Sequence, residues 1–118
     1  MLTRMQYDIL QSCGRSVAAL LAEMQDEREL FASSNTLQRI EVFLLVIAQT
    51  LQHFPEPLRL RLTEIDWHGW ACVQHLLENG LQPRRDEVWY ATQALVPSTM
   101  ELVAKLRRQE PTWFEIGY

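Results

Sequence analysis

Glycine and proline are scarce in this chain, at four and five residues, and no Asn-Gly or Asp-Gly pair occurs. Tight β-hairpins are built on such turns, so their scarcity argues against an antiparallel β fold. Period-two alternation is confined to Leu58-Arg59-Leu60-Arg61-Leu62, which follows Pro57. Proline favours the first turn of a helix, so this stretch reads as a short helical turn. No apolar run approaches the roughly 20 residues that span a bilayer. The densest, Leu44 to Ala48, is soon followed by Gln49 and Gln52. The opening residues, Met1 to Gln6, lack the apolar core of a signal peptide, and a cytoplasmic protein is expected. The two cysteines, Cys13 and Cys72, both lie in helix-like apolar contexts, where buried free thiols are expected. Positive charge is also short: 11 basic against 15 acidic residues give a net charge of −4. That excludes a standing, sequence-independent grip on nucleic acid and leaves room only for a local basic cleft.

What is present is apolar periodicity at helical spacing. Hydrophobic residues make up 47% of 118 positions, enough for one globular domain, residues 1–118, with a real core. Met5, Ile9, Cys13, Val17, Leu20 and Met24 predict a first helix over about residues 4 to 29. Gly14 in its middle costs about 1 kcal/mol unless close packing uses the gap. After a loop of capping residue types, Leu37, Ile40, Phe43, Leu44, Ile47 and Leu51 predict a second helix over about 36 to 53. Val42, Leu45 and Val46 widen its apolar surface beyond one face, which points to a central helix or a self-association surface. Asp66 is placed to cap a third helix that Asn79-Gly80 stops. Asp86 is placed to cap a fourth, about 87 to 108, which Pro97 should kink or split. A tail, 109–118, carries Trp113, Phe114, Ile116 and Tyr118 and is expected to dock on the body. The result is an all-α, up-down bundle of four to five helices.

Several side chains invite a chemical reading. His68 and His75, with Glu64, Asp66 and Glu78, fall short of the three or four converging ligands of a closed metal site, and no metal or other cofactor is expected. Cys72 and His75, three apart on one helix, lack the third group that orients a nucleophile pair, so Cys72 reads as a small core residue. Trp67, Trp70 and Trp89 lack the basic groove of a base-stacking platform and read better as core. Arg84-Arg85 and Arg107-Arg108 are the basic pairs, the first a candidate border of a residual cleft.

The order of motifs carries a resemblance. Phe31 precedes a capping loop and the long apolar stretch Ile40 to Phe54. Phe54-Pro55-Glu56-Pro57-Leu58-Arg59 is similar to a Leu-Pro-Glu-Glu-Leu-Arg turn. Ile65-Asp66-Trp67 stands where an Ile-Pro-Trp element leads into a reactive helix. Trp89 and Val96-Pro97 follow at matching places. From Tyr7 to Arg108 the chain thus resembles the HepT-like branch of the HEPN family. These are small helical toxins, typically RNA-cleaving, paired with a nucleotidyltransferase antitoxin. The resemblance implies a HEPN-like bundle, a homodimer and that class of partner.

The family's reactive helix carries an Arg, four residues, a His, one residue and a Tyr. Aligned without gaps from Trp67, those places hold Gln74, Asn79 and Leu81, and a Gly-Glu pair of the second helix becomes Ala48-Gln49. Gln74 offers no charge to a phosphate, Asn79 does not titrate, and Leu81 has no hydroxyl to accept nucleotide. The resemblance therefore implies a preserved scaffold with a degenerate catalytic motif, acting as an interaction subunit. Deleting one helical turn would put His75 at the His position and Trp70 at the Arg position, still without a cation. The alternatives are a metal-independent endoribonuclease rearranged around His75 with Arg84 or Arg85, and a regulatory dimer with no toxin role.

Overall fold

The computed structural model describes residues 2–115, and no strand occurs among them. The helices are α1 (Leu2–Ala22), α2 (Glu27–Ala32), α3 (Ser34–Gln52), α4 (Glu56–Arg61), α5 (Trp67–Glu78), α6 (Arg85–Tyr90), α7 (Val96–Gln109) and α8 (Thr112–Glu115). A π-helical turn, Ala91–Leu95, joins α6 to α7. The long segments α1, α3, α5 and α6–α7 form an all-α bundle, with α1 against α3, α3 against α5, and α7 returning along α1. Ile40, Leu44, Ile47 and Leu51 of α3 are buried at its centre with Leu10 and Val17 of α1 and Val103 of α7.

The first helix is shorter than its periodicity predicts. It ends at Ala22, and Asp26 opens α2 by accepting a hydrogen bond from the Glu29 amide at 2.8 Å. Glu29 reaches back to accept from the Gln25 amide at 2.9 Å. This reciprocal cap satisfies donors that a continuous helix would have bonded internally, so Asp26 to Glu29 start a new helix. The apolar stripe also turns relative to expectation. Met5 and Ile9 are exposed, and the buried face runs through Gln6, Leu10, Cys13, Val17 and Leu20. Two contacts fix that rotation. Gln6 donates from Nε2 to the His53 carbonyl at 3.0 Å, and the Tyr7 ring lies 5.3 Å from Phe114. Gly14 is used as a gap, since a Cβ there would stand 2.6 Å from Met100 Sδ.

At Pro97 the fourth helix runs as two α-helical segments, α6 and α7, joined by the π-helical turn Ala91–Leu95. Backbone angles stay α-helical at Tyr90, Ala91, Leu95 and Val96. The Val96 amide bonds back five residues to the Ala91 carbonyl. That widened turn makes room for a ring that would clash with the carbonyl four residues earlier. Asp86 lies in the first turn of α6 and makes no capping bond; Arg84 holds the N-cap position. In the tail Phe114 is buried, and Trp113 donates to Glu110, which also pairs with Arg61 of α4. Ile116 and Tyr118 lie outside the described residues.

Candidate functional site

The third helix, α5, carries most of the candidate positions. Asp66 caps it as expected, accepting from the Gly69 amide at 2.8 Å. Trp70 and Val73 are buried, and Trp70 donates from Nε1 to Thr99 Oγ1 at 2.9 Å. With about 100° per residue, these positions turn His68, Cys72, His75 and Asn79 to the opposite, outward face. All four are exposed. Cys72 is therefore not a core residue, in contrast to Cys13, which is buried and whose thiol pKa is pushed up by burial. Trp70 is unavailable to any ligand, and Trp67 is half-buried, donating to the Leu62 carbonyl at 2.9 Å and stacked under Arg59.

Each of the three motif positions has a structural occupation. Gln74 points toward α3, where its Nε2 donates to Gln52 Oε1 at 2.7 Å and to Glu78 Oε2 at 3.1 Å. Gln49, at the other substituted place, donates to the same Glu78 oxygen at 3.1 Å. The Glu78 carboxylate consequently sits below its usual pKa, chiefly through the Gln49 bond and then the Gln74 bond. Two positions 25 residues apart in sequence are thus joined through one acid. Asn79 donates from Nδ2 to the His75 carbonyl at 2.8 Å, with His75 Nδ1 3.3 Å away.

Leu81 closes the helix end. Its amide bonds to the Leu76 carbonyl at 3.0 Å and the Gly80 amide to Leu77 at 3.4 Å, the paired bonds of a Schellman stop. Gly80 takes φ of 61°, the left-handed conformation that glycine adopts without strain. Gln74, Asn79 and Leu81 do not converge: one faces α3, one faces solvent, and one lies past the helix end.

Beyond that stop the chain passes a cis Gln82–Pro83 peptide to Arg84 and Arg85. They border an open groove of about 300 Å³, with Phe31, Leu37, Gln38 and Glu41 on its other side. Both arginines are already engaged. Arg84 forks onto Glu41, at 3.0 Å from Nε and 3.1 Å from Nη2, and donates to the Leu81 carbonyl at 3.3 Å. The Glu41 bonds raise its pKa further. Arg85 pairs with Glu27 at 3.1 Å and lies 4.7 Å above the Phe31 ring. His75 does not line this groove, nor do Trp67 and Trp70. Glu41, Glu27 and Gln52 complete these contacts and went unnoticed in the sequence, where Glu78 was weighed only as a metal ligand. Only the Gln74–Glu78 pair has a local signal, a spacing of four on one helix; the others are contacts between elements.

Among the described residues no three His, Cys, Asp or Glu side chains converge as a metal set. No helix among them is long and apolar enough to cross a membrane. Comparison with protein-family models, with curated proteins and with solved structures returns no match.

Proposed function

We propose that this chain is a HepT-like, HEPN-fold interaction subunit of the cytoplasm whose RNA-cleaving site has been retired. In this reading it works as a homodimer and engages a nucleotidyltransferase-type antitoxin, with no cofactor. One observation carries the reading. The three motif positions are neutral, and each is spent on structure: Gln74 on Gln52 and Glu78, Asn79 on its own helix end, Leu81 on the helix stop.

Cleavage of RNA by this type of site needs a group that moves a proton and a cation that steadies the phosphate. The cations Arg84 and Arg85 are held by Glu41 and Glu27, and His75 does not line the groove they border. The rival reading, a metal-independent endoribonuclease built on His75 with Arg84 or Arg85, draws on the exposure of His75 alone.

Incubating pure protein with mixed RNA, beside a His75→Ala variant, separates the two. No cleavage by either protein is the expected result. Cleavage by the wild type that disappears in the variant would establish the rival. Co-purification with a nucleotidyltransferase is the positive test, and a monomer that retains no partner would sink the interaction reading.

A further inference from the structure

Between α1 and the joint of α6 with α7 lies a groove that the proposed function does not use. It encloses about 270 Å³, at the lower edge of the sizes that hold small ligands. Its walls are aliphatic, with Val17 and Leu21 from α1 facing Val96, Pro97 and Met100 from α7. Space is left there because α1 brings only Gly14 and Ala18 to the middle of it. A second groove, of about 570 Å³, shares Ala18, Leu21, Thr92 and Pro97 with the first and extends to Trp89. Arg15 lines one end of the joined groove and Ala22 the other, about 10 Å apart at the helical rise. The shape is that of a narrow apolar channel, suited to a linear chain.

The polar groups sit at one end. Gln11 and Arg15 are four apart on α1, so they share a face, and both line the first groove. Gln11 Nε2 is buried and has no hydrogen-bond partner, a costly state for a donor. Arg15 is exposed and has no ion-pair partner among the described residues. It is the one charge in the lining of this groove, which contains no carboxylate. The groove at Arg84 and Arg85 differs, since Glu41 and Glu27 already hold those cations. At the far end of the joined groove stand Asp26 and Glu27, which would repel a second anionic group.

We propose that this groove binds a medium-chain monocarboxylate. Its carboxylate accepts from Gln11 Nε2 and from the Arg15 guanidinium, and its acyl chain runs past Ala18, Leu21 and Pro97 toward Trp89. Burial of the chain drives binding, and the charged hydrogen bonds fix its direction. Met100, with its flexible thioether, can repack against the chain. The proposal is independent of the retired-site reading.

Calorimetric titration of the full chain with octanoate tests it. Saturable binding of one octanoate per chain, in the millimolar range or tighter, is expected. n-Octanol has the same chain without the charge and should bind about tenfold more weakly, because hydrogen bonds to charged groups exceed neutral ones. Arg15→Gln should bring octanoate down to the level of octanol and leave octanol unchanged. Gln11→Leu should weaken octanoate binding and raise the thermal midpoint, since it removes the unmet donor. Ala18→Phe, at an exposed position, should fill the groove and abolish binding of both ligands. Unchanged circular dichroism is expected to show that all three variants fold.

No saturable binding at millimolar octanoate would overturn the site, as would binding that survives Ala18→Phe. Equal affinity for octanoate and octanol, or octanoate affinity unchanged in Arg15→Gln, would overturn the ligand class. A Gln11→Leu midpoint below that of the wild type would show that the fold itself satisfies the amide, and would overturn its place at the carboxylate.

Discussion

Glu78 is the residue on which the candidate site turns. Its carboxylate accepts from Gln49 and Gln74, so folding favours the charged form and depresses its pKa. A depressed carboxylate contributes stability above its unfolded pKa and loses it as pH falls through the folded value. Glu110 behaves alike, held down first by the Arg61 bond and then by Trp113. Stability should therefore fall on acidification below about pH 4.5. Glu78→Gln should flatten that limb, as read from denaturant midpoints across pH 2 to 7 on the scale of carboxylate titration. An unchanged acid limb would mean that the glutamine bonds do not form in solution.

Arg84 tests whether the basic pair is structural. Its partner Glu41 has only 16% of its side chain exposed, so removing the guanidinium leaves a mostly buried carboxylate unpaired. Arg84→Ala should cost about 1–3 kcal/mol in unfolding free energy. Arg85→Ala, whose pair is about half exposed, should cost under about 1 kcal/mol. Equal small losses would say that Arg84 is held no more tightly than a surface side chain.

At the scale of elements, Gly14 makes a sharper case than any cap. A helical glycine replaced by alanine gains about 1 kcal/mol of intrinsic propensity. Here the new methyl would meet Met100 Sδ at 2.6 Å and Cγ at 2.8 Å. Overpacking of that kind costs about 1–3 kcal/mol, so Gly14→Ala should be neutral to destabilising despite better propensity. Shortening the other side relieves the clash. The Gly14→Ala/Met100→Ala pair should be at least about 0.5 kcal/mol better than the sum of its single changes. Additive effects in that cycle would place α1 and α7 further apart than described.

Elements of this kind also mark how far the sequence could be read. Helices α3 and α5 were legible because their signals are local: apolar spacing, Asp66 before the helix, Gly80 after it. The α1–α2 break was missed because Asp26 and Glu29 form a capping pair inside an apolar pattern that runs through it. The rotation of α1 was missed because Gln6 and Tyr7 take their positions from His53 and Phe114, 47 and 107 residues away. Cys72 was misplaced because its small apolar character fits a core equally well; only the burial of Trp70 and Val73 assigns the inner face. In the site, the neutral character of Gln74, Asn79 and Leu81 was plain from the sequence. The contacts around them were not, since Gln52, which bonds Gln74, Gln49, which bonds Glu78, and Glu41, which bonds Arg84, all come from another helix.

At the scale of the whole molecule, α3 carries more apolar surface than the bundle consumes. Ile40, Leu44, Ile47 and Leu51 are buried, Leu45 and Val46 are half-buried, and Val42 is 56% exposed. A helix apolar on most sides calls for cover on most sides, and the proposed homodimer would supply it. Val42 is the position at which to ask. A lysine there lies in water in the monomer and should change its stability by no more than about 0.5 kcal/mol. Across a self-associated α3 face the same lysine would meet its own copy by two-fold symmetry, with two like charges brought together and desolvated. Dilution-dependent mass measurement should find the wild type dimeric at micromolar concentration and Val42→Lys monomeric, with the two thermal unfolding curves converging at high dilution. A wild type that is monomeric throughout would end the dimer proposal, and a variant that stays dimeric would move the interface off this face of α3.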